Sequence, residues 1–175
     1  IAANKCDTAA SADNLKKIKE RFPEKIVIPC SAEAELALRE AAKDELIDYV
    51  SGENTFKVKG NLNEKQQKAL GFIQKNILDV YGSTGVQDIL NKTVFQLLDY
   101  IAVFPAGVSK LADSKGNILP DCFLLPNGST ALDFACAVHT DLGKNFIKAI
   151  DAKTKLAVGK EHKLKHRDGL EIVTR

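Results

Sequence analysis

An α+β fold in several parts is what this sequence predicts, and three observations carry the expectation. Residues 1–50 alternate strand, helix, strand, helix, the order of a parallel βαβ unit. Residues 51–105 are dominated by apolar side chains at 3–4 spacing, the period of amphipathic helices. Residues 106–175 break into short apolar runs around one helix, separated by turn residues. The expected parts are the tail of an α/β domain (1–50), a helical segment folded as a hairpin (51–105), and a linker with a small half-open β-sheet (106–175).

The elements follow in order. Ile1–Ala3 and Lys25–Pro29 are expected as short strands, each emptying into a polar loop. Between them Ser11-Ala-Asp-Asn offers polar capping choices for a helix start. Leu15, Ile18 and Phe22 make a narrow stripe expected to be buried, and Pro23 closes that helix. Ser31 begins a second helix, with Glu33 and Glu35 in the first turn where the dipole favours them. The run Ala34 to Leu46 is rich in strong helix formers. Two strands are too few to stand alone, so further surface is expected to cover them.

Val50 to Gly60 has loop character. Asn63-Glu-Lys-Gln66 is a helix start in which Gln66 can reciprocate the cap. Leu70, Phe72, Ile73, Ile77, Leu78 and Tyr81 continue that helix on one broad face, and Gly82-Ser-Thr-Gly85 breaks it. A second helix is expected to carry Val86, Ile89, Leu90, Val94, Leu97, Leu98 and Ile101, the two helices packing on each other and on the neighbouring domains. Pro105-Ala-Gly107 and Asp113–Asn117 mark the next boundary. Beyond it come a strand at Cys122–Leu125, a turn at Pro126-Asn-Gly128 and a helix opened by Thr130, with Asp133 at its third position. Leu132, Phe134, Ala135 and Val138 are available to bury that helix. Phe146–Asp151 and Leu156–Val158 are strands, Asp168-Gly169 is a hairpin-type turn, and Leu170–Val173 is the last strand.

Chemistry concentrates at Asn4-Lys5-Cys6-Asp7, followed 27 positions after Asn4 by Ser31-Ala32-Glu33. A guanine base presents N1–H and N2–H₂ donors on one edge, with O6 and N7 acceptors beside them. One carboxylate held in plane accepts from both donors, and Asp7 suits that task. Asn4 can bridge towards N7 and tie the loop, the aliphatic stem of Lys5 can cover the base face, and the Ala32 N–H can meet O6. Adenine inverts the donors and would leave the carboxylate unpaired. The four-residue motif is weak by itself; the pair of loops, each entered by an apolar strand, is specific.

The phosphate machinery is not in evidence. No G-x-x-x-x-G-K-[ST] run occurs, because Gly143-Lys144 and Gly159-Lys160 lack both the upstream glycine and the following Ser or Thr. The expectation is the C-terminal part of a longer GTPase: the tail of an α/β P-loop domain that recognises the base of GTP or GDP. An upstream half would hold the phosphates and Mg²⁺, and this chain alone is expected to be inactive in hydrolysis.

Composition agrees with a globular domain, at 45% hydrophobic and 27% charged residues. No apolar run approaches the roughly 18 residues of a membrane span. Cys6, Cys30, Cys122 and Cys136 are scattered and expected to be reduced, buried thiols, with no metal site. Charge is unevenly spread: from Leu142 onward there are nine Lys or Arg against four Asp or Glu, and the first 141 residues carry 16 against 19. A basic C-terminal module on a mildly acidic body suggests an anionic partner such as RNA.

The C-terminal residues resemble a known module. Leu125-Pro-Asn-Gly-Ser-Thr-Ala-Leu-Asp-Phe-Ala135, His139 and His166-Arg-Asp-Gly-Leu-Glu-Ile-Val173 are similar to the TGS domain, a β-grasp (ubiquitin-like) fold, over about Leu119 to Arg175. Joined downstream of guanine loops, this resembles the Obg-related GTPases, most closely the YchF-type branch as found in archaea. Many of that branch have lost the Asn-Lys-x-Asp pattern and prefer ATP; with Asn4, Lys5 and Asp7 intact, the resemblance implies guanine specificity here. It further implies a translation-associated, cytoplasmic protein in which the TGS domain docks on the ribosome, rRNA or tRNA. The candidate contacts are Lys144, Lys148, Lys153, Lys155, Lys160, Lys163, Lys165 and Arg167. Contacts from such cations to phosphates would be salt-sensitive and blind to sequence.

No catalytic residue is expected within the chain. His139 belongs at a helix end, His162 and His166 flank lysines, Ser129-Thr130 is capping chemistry, and Glu33 and Glu35 point to different faces. The alternative to an enzyme part is a non-enzymatic TGS-type module binding RNA or protein. The N-terminal extension of a threonyl-tRNA synthetase fits worse, since its TGS domain would not follow guanine loops.

Overall fold

The computed structural model describes residues 1–107, 118 and 121–175. These divide into two compact units, Ile1–Thr93 and Val94–Arg175. The expected boundary at Asp113–Asn117 and the start of the TGS resemblance at Leu119 lie outside the described residues.

In the first unit β1 (Ala2–Ala3) and β2 (Ile28–Pro29) pair in parallel, Ala2 opposite Ile28 and Ala3 opposite Pro29. Helix α1 (Ser11–Arg21) crosses over between them. Its start is not capped by a side chain; the N-cap position is Ala10, and Ser11 instead donates its hydroxyl to the Cys6 carbonyl at 2.8 Å. The expected buried stripe is also only half realised. Leu15 and Ile18 are half-buried and Phe22 is exposed, and Leu15 and Ile18 line an open hollow of 380 Å³ with Ala2, Ala3 and Pro29.

Helix α2 (Ala32–Lys43) starts on Ser31, whose hydroxyl accepts from the Ala34 N–H. It leads into β3 (Ile47–Asp48), which pairs antiparallel with β4 (Lys57–Val58), so a short two-stranded ladder lies where only a loop was expected at the second of these. Helix α3 (Glu64–Ile73) opens with the anticipated capping box between Asn63 and Gln66. It continues through a π-helical turn (Gln74–Leu78) and α4 (Asp79–Tyr81), and ends at Gly82 with a left-handed φ of 80°. Leu70, Ile73, Ile77 and Leu78 pack with Ala34 and Leu38 of α2, Ile47 and Cys6. The apolar face of the first hairpin helix is therefore satisfied by α2. In the second, α5 (Val86–Lys92), Leu90 stays 54% exposed.

The second unit begins in a π-helical turn (Thr93–Leu97) and holds the principal correction to the expected elements. The helix expected to reach Ile101 stops by Leu97. Asp99 takes φ 52°, and Tyr100–Pro105 is a strand, β5. Helical and strand periods compete over a short apolar run, and here sheet pairing decides: Ile101 and Val103 are buried in the core. Leu97 and Leu98, placed on a packed face by the helical period, are 79% and 54% exposed.

Strand β5 pairs antiparallel with β6 (Phe123–Pro126) and parallel with β9 (Asp168–Thr174). Strand β9 pairs antiparallel with β7 (Phe146–Asp151), which pairs with β8 (Ala157–Val158). The order β6-β5-β9-β7-β8, with first and last strands parallel at the centre, is the β-grasp arrangement. Helix α6 (Ala131–Val138) opens with the predicted Thr130–Asp133 capping box and buries Phe134 fully beneath the sheet, edge-on to Phe123. A short α7 (Thr140–Lys144) follows, with His139 at the junction. Asp168 and Gly169 are the first residues of β9 and not a turn; they oppose Val103 and Phe104, and the reversal is made just before them, where Arg167 takes φ 69°.

Candidate functional site

Parallel pairing of β1 and β2 delivers their two following loops side by side at the carboxyl ends of the strands, the usual place for a ligand in an α/β sheet. The ladder extends into the loops: Cys30 N–H donates to the Ala3 carbonyl and Cys6 N–H to the Cys30 carbonyl, both at 3.0 Å. Lys5 adopts φ 65°, a left-handed conformation uncommon for a residue with a Cβ. Its carbonyl accepts from both the backbone and the hydroxyl of Thr8. The Cys6 carbonyl accepts from Ser11 and, at 3.4 Å, from the Tyr81 hydroxyl. The first loop is thus a tight turn pinned from three elements.

Asn4 joins the loops. Its Oδ1 accepts the Ala32 N–H at 3.1 Å and lies 3.9 Å from the Cys30 thiol, a residue 26 positions away. Its Nδ2 donors make no hydrogen bond among the described residues. Asp7 is half-exposed, and its carboxylate likewise has no hydrogen-bond or ion-pair partner among the described residues. Lys5 and Ala32 are exposed, whereas Ser31 is 1% exposed and serves the helix start. The predicted set therefore converges: Asn4, Lys5 and Asp7 on one loop, Ser31 and Ala32 on the other. One detail differs from expectation, since the Ala32 N–H is already engaged by Asn4.

Electrostatically the floor of the site is quiet. Burial, the neighbouring Asp7 carboxylate and Cys30 push the Cys6 thiol up to about 11, and burial raises Cys30 as well. These two cysteines are buried as expected, but Cys122 and Cys136 are exposed.

Two features of the site were not read from the sequence. Glu35 is 5% exposed and accepts hydrogen bonds from Thr84 (2.6 Å) and Tyr49 (2.9 Å). The Gly82–Gly85 turn, expected only to interrupt a helix, lies against the second loop: Ser31 N–H donates to the Thr84 carbonyl at 2.9 Å. Gly85, at φ 78°, has no space for a Cβ, which would collide with the Pro29 carbonyl. Two glycines flanking a Ser-Thr pair were the available signal.

In the second unit all eight candidate cations are exposed. Lys144 ends α7, Lys148 lies in β7, Lys153 and Lys155 occupy the β7–β8 turn, and Lys160, Lys163, Lys165 and Arg167 lie between β8 and β9. Lys153 sits 3.7 Å from the Asp168 carboxylate, Lys163 donates to the Gly128 carbonyl, and Lys155 also has an interaction within the chain. His166 is structural, its Nδ1 accepting the Ala102 N–H at 3.2 Å while its ring meets Phe95 edge-on. No helix among the described residues is long and apolar enough to cross a membrane.

Comparison with known proteins agrees with both units. Residues 2–107 match the domain described as "Obg-like GTPase YGR210-like, G4 motif-containing domain", and residues 112–174 match the TGS domain. A GTP-binding protein of Methanocaldococcus jannaschii is 47% identical over 99% of this chain and 44% of its own length. The crystal structure of a GTP-binding protein from Pyrococcus horikoshii OT3 superposes with a TM-score of 0.71 at 43% identity, covering all of this chain and 45% of that one. The Schizosaccharomyces pombe YchF GTPase shares the fold, with a TM-score of 0.55 at 17% identity over 95% of this chain and 39% of its own. The chain thus spans less than half the length of these relatives. With two loops joined on a parallel strand pair in the first unit, a β-grasp sheet in the second and these matches, the chain belongs to the YGR210-like family of Obg-like GTPases and carries its G4 motif-containing domain followed by a TGS domain.

Proposed function

We propose that this chain is the base-recognition and docking portion of a translation-associated, cytoplasmic GTPase. The carrying observation is the Asn4 Oδ1 to Ala32 N–H hydrogen bond, which locks two sequence-distant loops into one rim beside an unpartnered Asp7 carboxylate. Asp7 accepts from N1–H and N2–H₂ of the guanine, and the free Nδ2 of Asn4 donates to N7. Lys5 covers one face of the ring. The Ala32 N–H reaches O6 by sharing its hydrogen between the base and Asn4, and Ser31 holds the helix start beneath. The phosphates and Mg²⁺ of GTP or GDP are assigned to residues upstream of those present here. The TGS domain docks on ribosomal or transfer RNA through Lys144, Lys148, Lys160, Lys165 and Arg167, with Lys153, Lys155 and Lys163 weaker contributors because each already has an interaction within the chain.

The test is Asp7→Asn in the full-length protein. An amide offers one donor and one acceptor, which suits xanthine, where an oxygen replaces the 2-amino group. GDP affinity is expected to fall at least about tenfold, equivalent to ~1.4 kcal/mol, while xanthosine diphosphate affinity rises. Unchanged GDP affinity would end the guanine assignment.

A further inference from the structure

The carboxylate most deeply enclosed beside the nucleotide loops takes no part in binding the base. Glu35 lies one turn into α2 and is 5% exposed, yet the hydrogen bonds to its carboxylate come from distant chain: Thr84 is 49 residues away and Tyr49 is 14, with Ser51 close behind Tyr49. A buried carboxylate retained in this way requires good hydrogen-bonding partners to offset its desolvation. Here those partners bring together α2, the segment after β3 and the Gly82–Gly85 turn. The turn in its own right touches the second loop at two points. Its Thr84 carbonyl accepts the Ser31 N–H, and Gly85 abuts the Pro29 carbonyl and Cys30 with no room for a side chain. The Ser83 hydroxyl accepts the Gly85 N–H at 3.0 Å, which stiffens the turn. The loop bearing Ser31 and Ala32 is therefore held between Asn4 on one side and this turn on the other.

We propose that the Gly82–Gly85 turn is a positioning element of the guanine pocket, keyed through Thr84 to Glu35, which sets base selectivity by fixing the Ser31–Ala32 loop. Neither Thr84 nor Glu35 touches the base; both act through the loop. This inference rests on the assignment of Asn4–Asp7 and Ser31–Ala32 as guanine loops. If the hydroxyl-to-carboxylate link is lost, the loop samples arrangements in which Ala32 is misplaced, and affinity falls in proportion to the competent fraction. The phosphates, held elsewhere, contribute as before. Binding that depends on the base therefore weakens, and binding common to all nucleoside diphosphates does not.

The experiment compares GDP and ADP affinities of the full-length protein with those of its Thr84→Val and Thr84→Ser variants, and records a melting temperature for each. Valine keeps the shape of threonine and removes the hydroxyl; serine keeps the hydroxyl. Thr84→Val is expected to reduce the GDP-to-ADP affinity ratio about tenfold, by weakening GDP alone, and Thr84→Ser to restore it. A folded Thr84→Val protein with a ratio within about twofold of wild type would overturn the inference, as would failure of Thr84→Ser to restore a lowered ratio. Should Thr84→Val fail to fold, Glu35→Gln is judged by the same ratio. If wild type does not prefer GDP over ADP, the guanine assignment itself fails and the inference falls with it; loss confined to the variants' outcome leaves that assignment standing.

Discussion

Replacing Tyr49 by Phe deletes one oxygen and leaves the ring in place, which makes it a clean probe of the Glu35 cluster. The Tyr49 hydroxyl donates to the Glu35 carboxylate at 2.9 Å, beside the 2.6 Å bond from Thr84. A hydrogen bond to a charged acceptor contributes about 1.5–3 kcal/mol. Tyr49 is half-buried, which places the expected loss near the lower end. For a unit of 60–100 residues each kcal/mol corresponds to about 4–8 °C, so the first unit should melt roughly 6–12 °C lower at neutral pH. Thermal and urea unfolding of the full-length protein would read this. A double-mutant cycle with Glu35→Gln should give a coupling on the order of 1 kcal/mol, since the two residues are in contact. The pH dependence follows from the carboxylate. Burial by itself raises its pKa, but hydrogen bonds from Thr84, Ser51 and Tyr49 and the charge of Arg39 outweigh it, so the net direction is down from the ordinary 4.5. A depressed folded-state pKa means that the stabilisation is complete above the unfolded value and is lost as pH falls through the folded one. The gap between wild type and Tyr49→Phe should therefore narrow in acid. Equal melting temperatures at neutral pH, or a gap that widens on acidification, would refute the reasoning.

Two further outcomes are expected. Alkylation by iodoacetamide at neutral pH should modify exposed Cys122 and Cys136 first and leave Cys6 unmodified in the folded protein, because its thiol stands at about 11 and the thiolate is the reactive form; mass mapping of the labelled sites checks this. Association with ribosomes or RNA should weaken steeply with added salt, and reversing the charge at Lys160 and Lys165 should flatten the slope of log affinity against log salt. Salt-independent association would exclude the basic face.

What the sequence determined by itself is whatever local chemistry dictates. That the Asn4–Asp7 and Ser31–Ala32 loops lie side by side was legible because the apolar residues before each imply strands of one parallel pair. The boxes at Asn63–Gln66 and Thr130–Asp133 were legible because a cap and its reciprocal group lie three residues apart. Tertiary structure decided the rest. Val94 to Ile101 fits a helical period, and only pairing of Tyr100–Pro105 with both β6 and β9 turns its last two residues into strand. Asp168-Gly169 has the composition of a turn, yet parallel pairing with Val103 and Phe104 places it in β9. Glu35 had the composition of an ordinary first-turn acid. Its burial, and the support that the Gly82–Gly85 turn gives the Ser31 loop, depend on Tyr49 and Thr84 arriving from elsewhere in the chain. Periodicity and capping are set within a few residues of sequence, whereas ladders and buried charges are satisfied by groups whose distance in sequence carries no pattern.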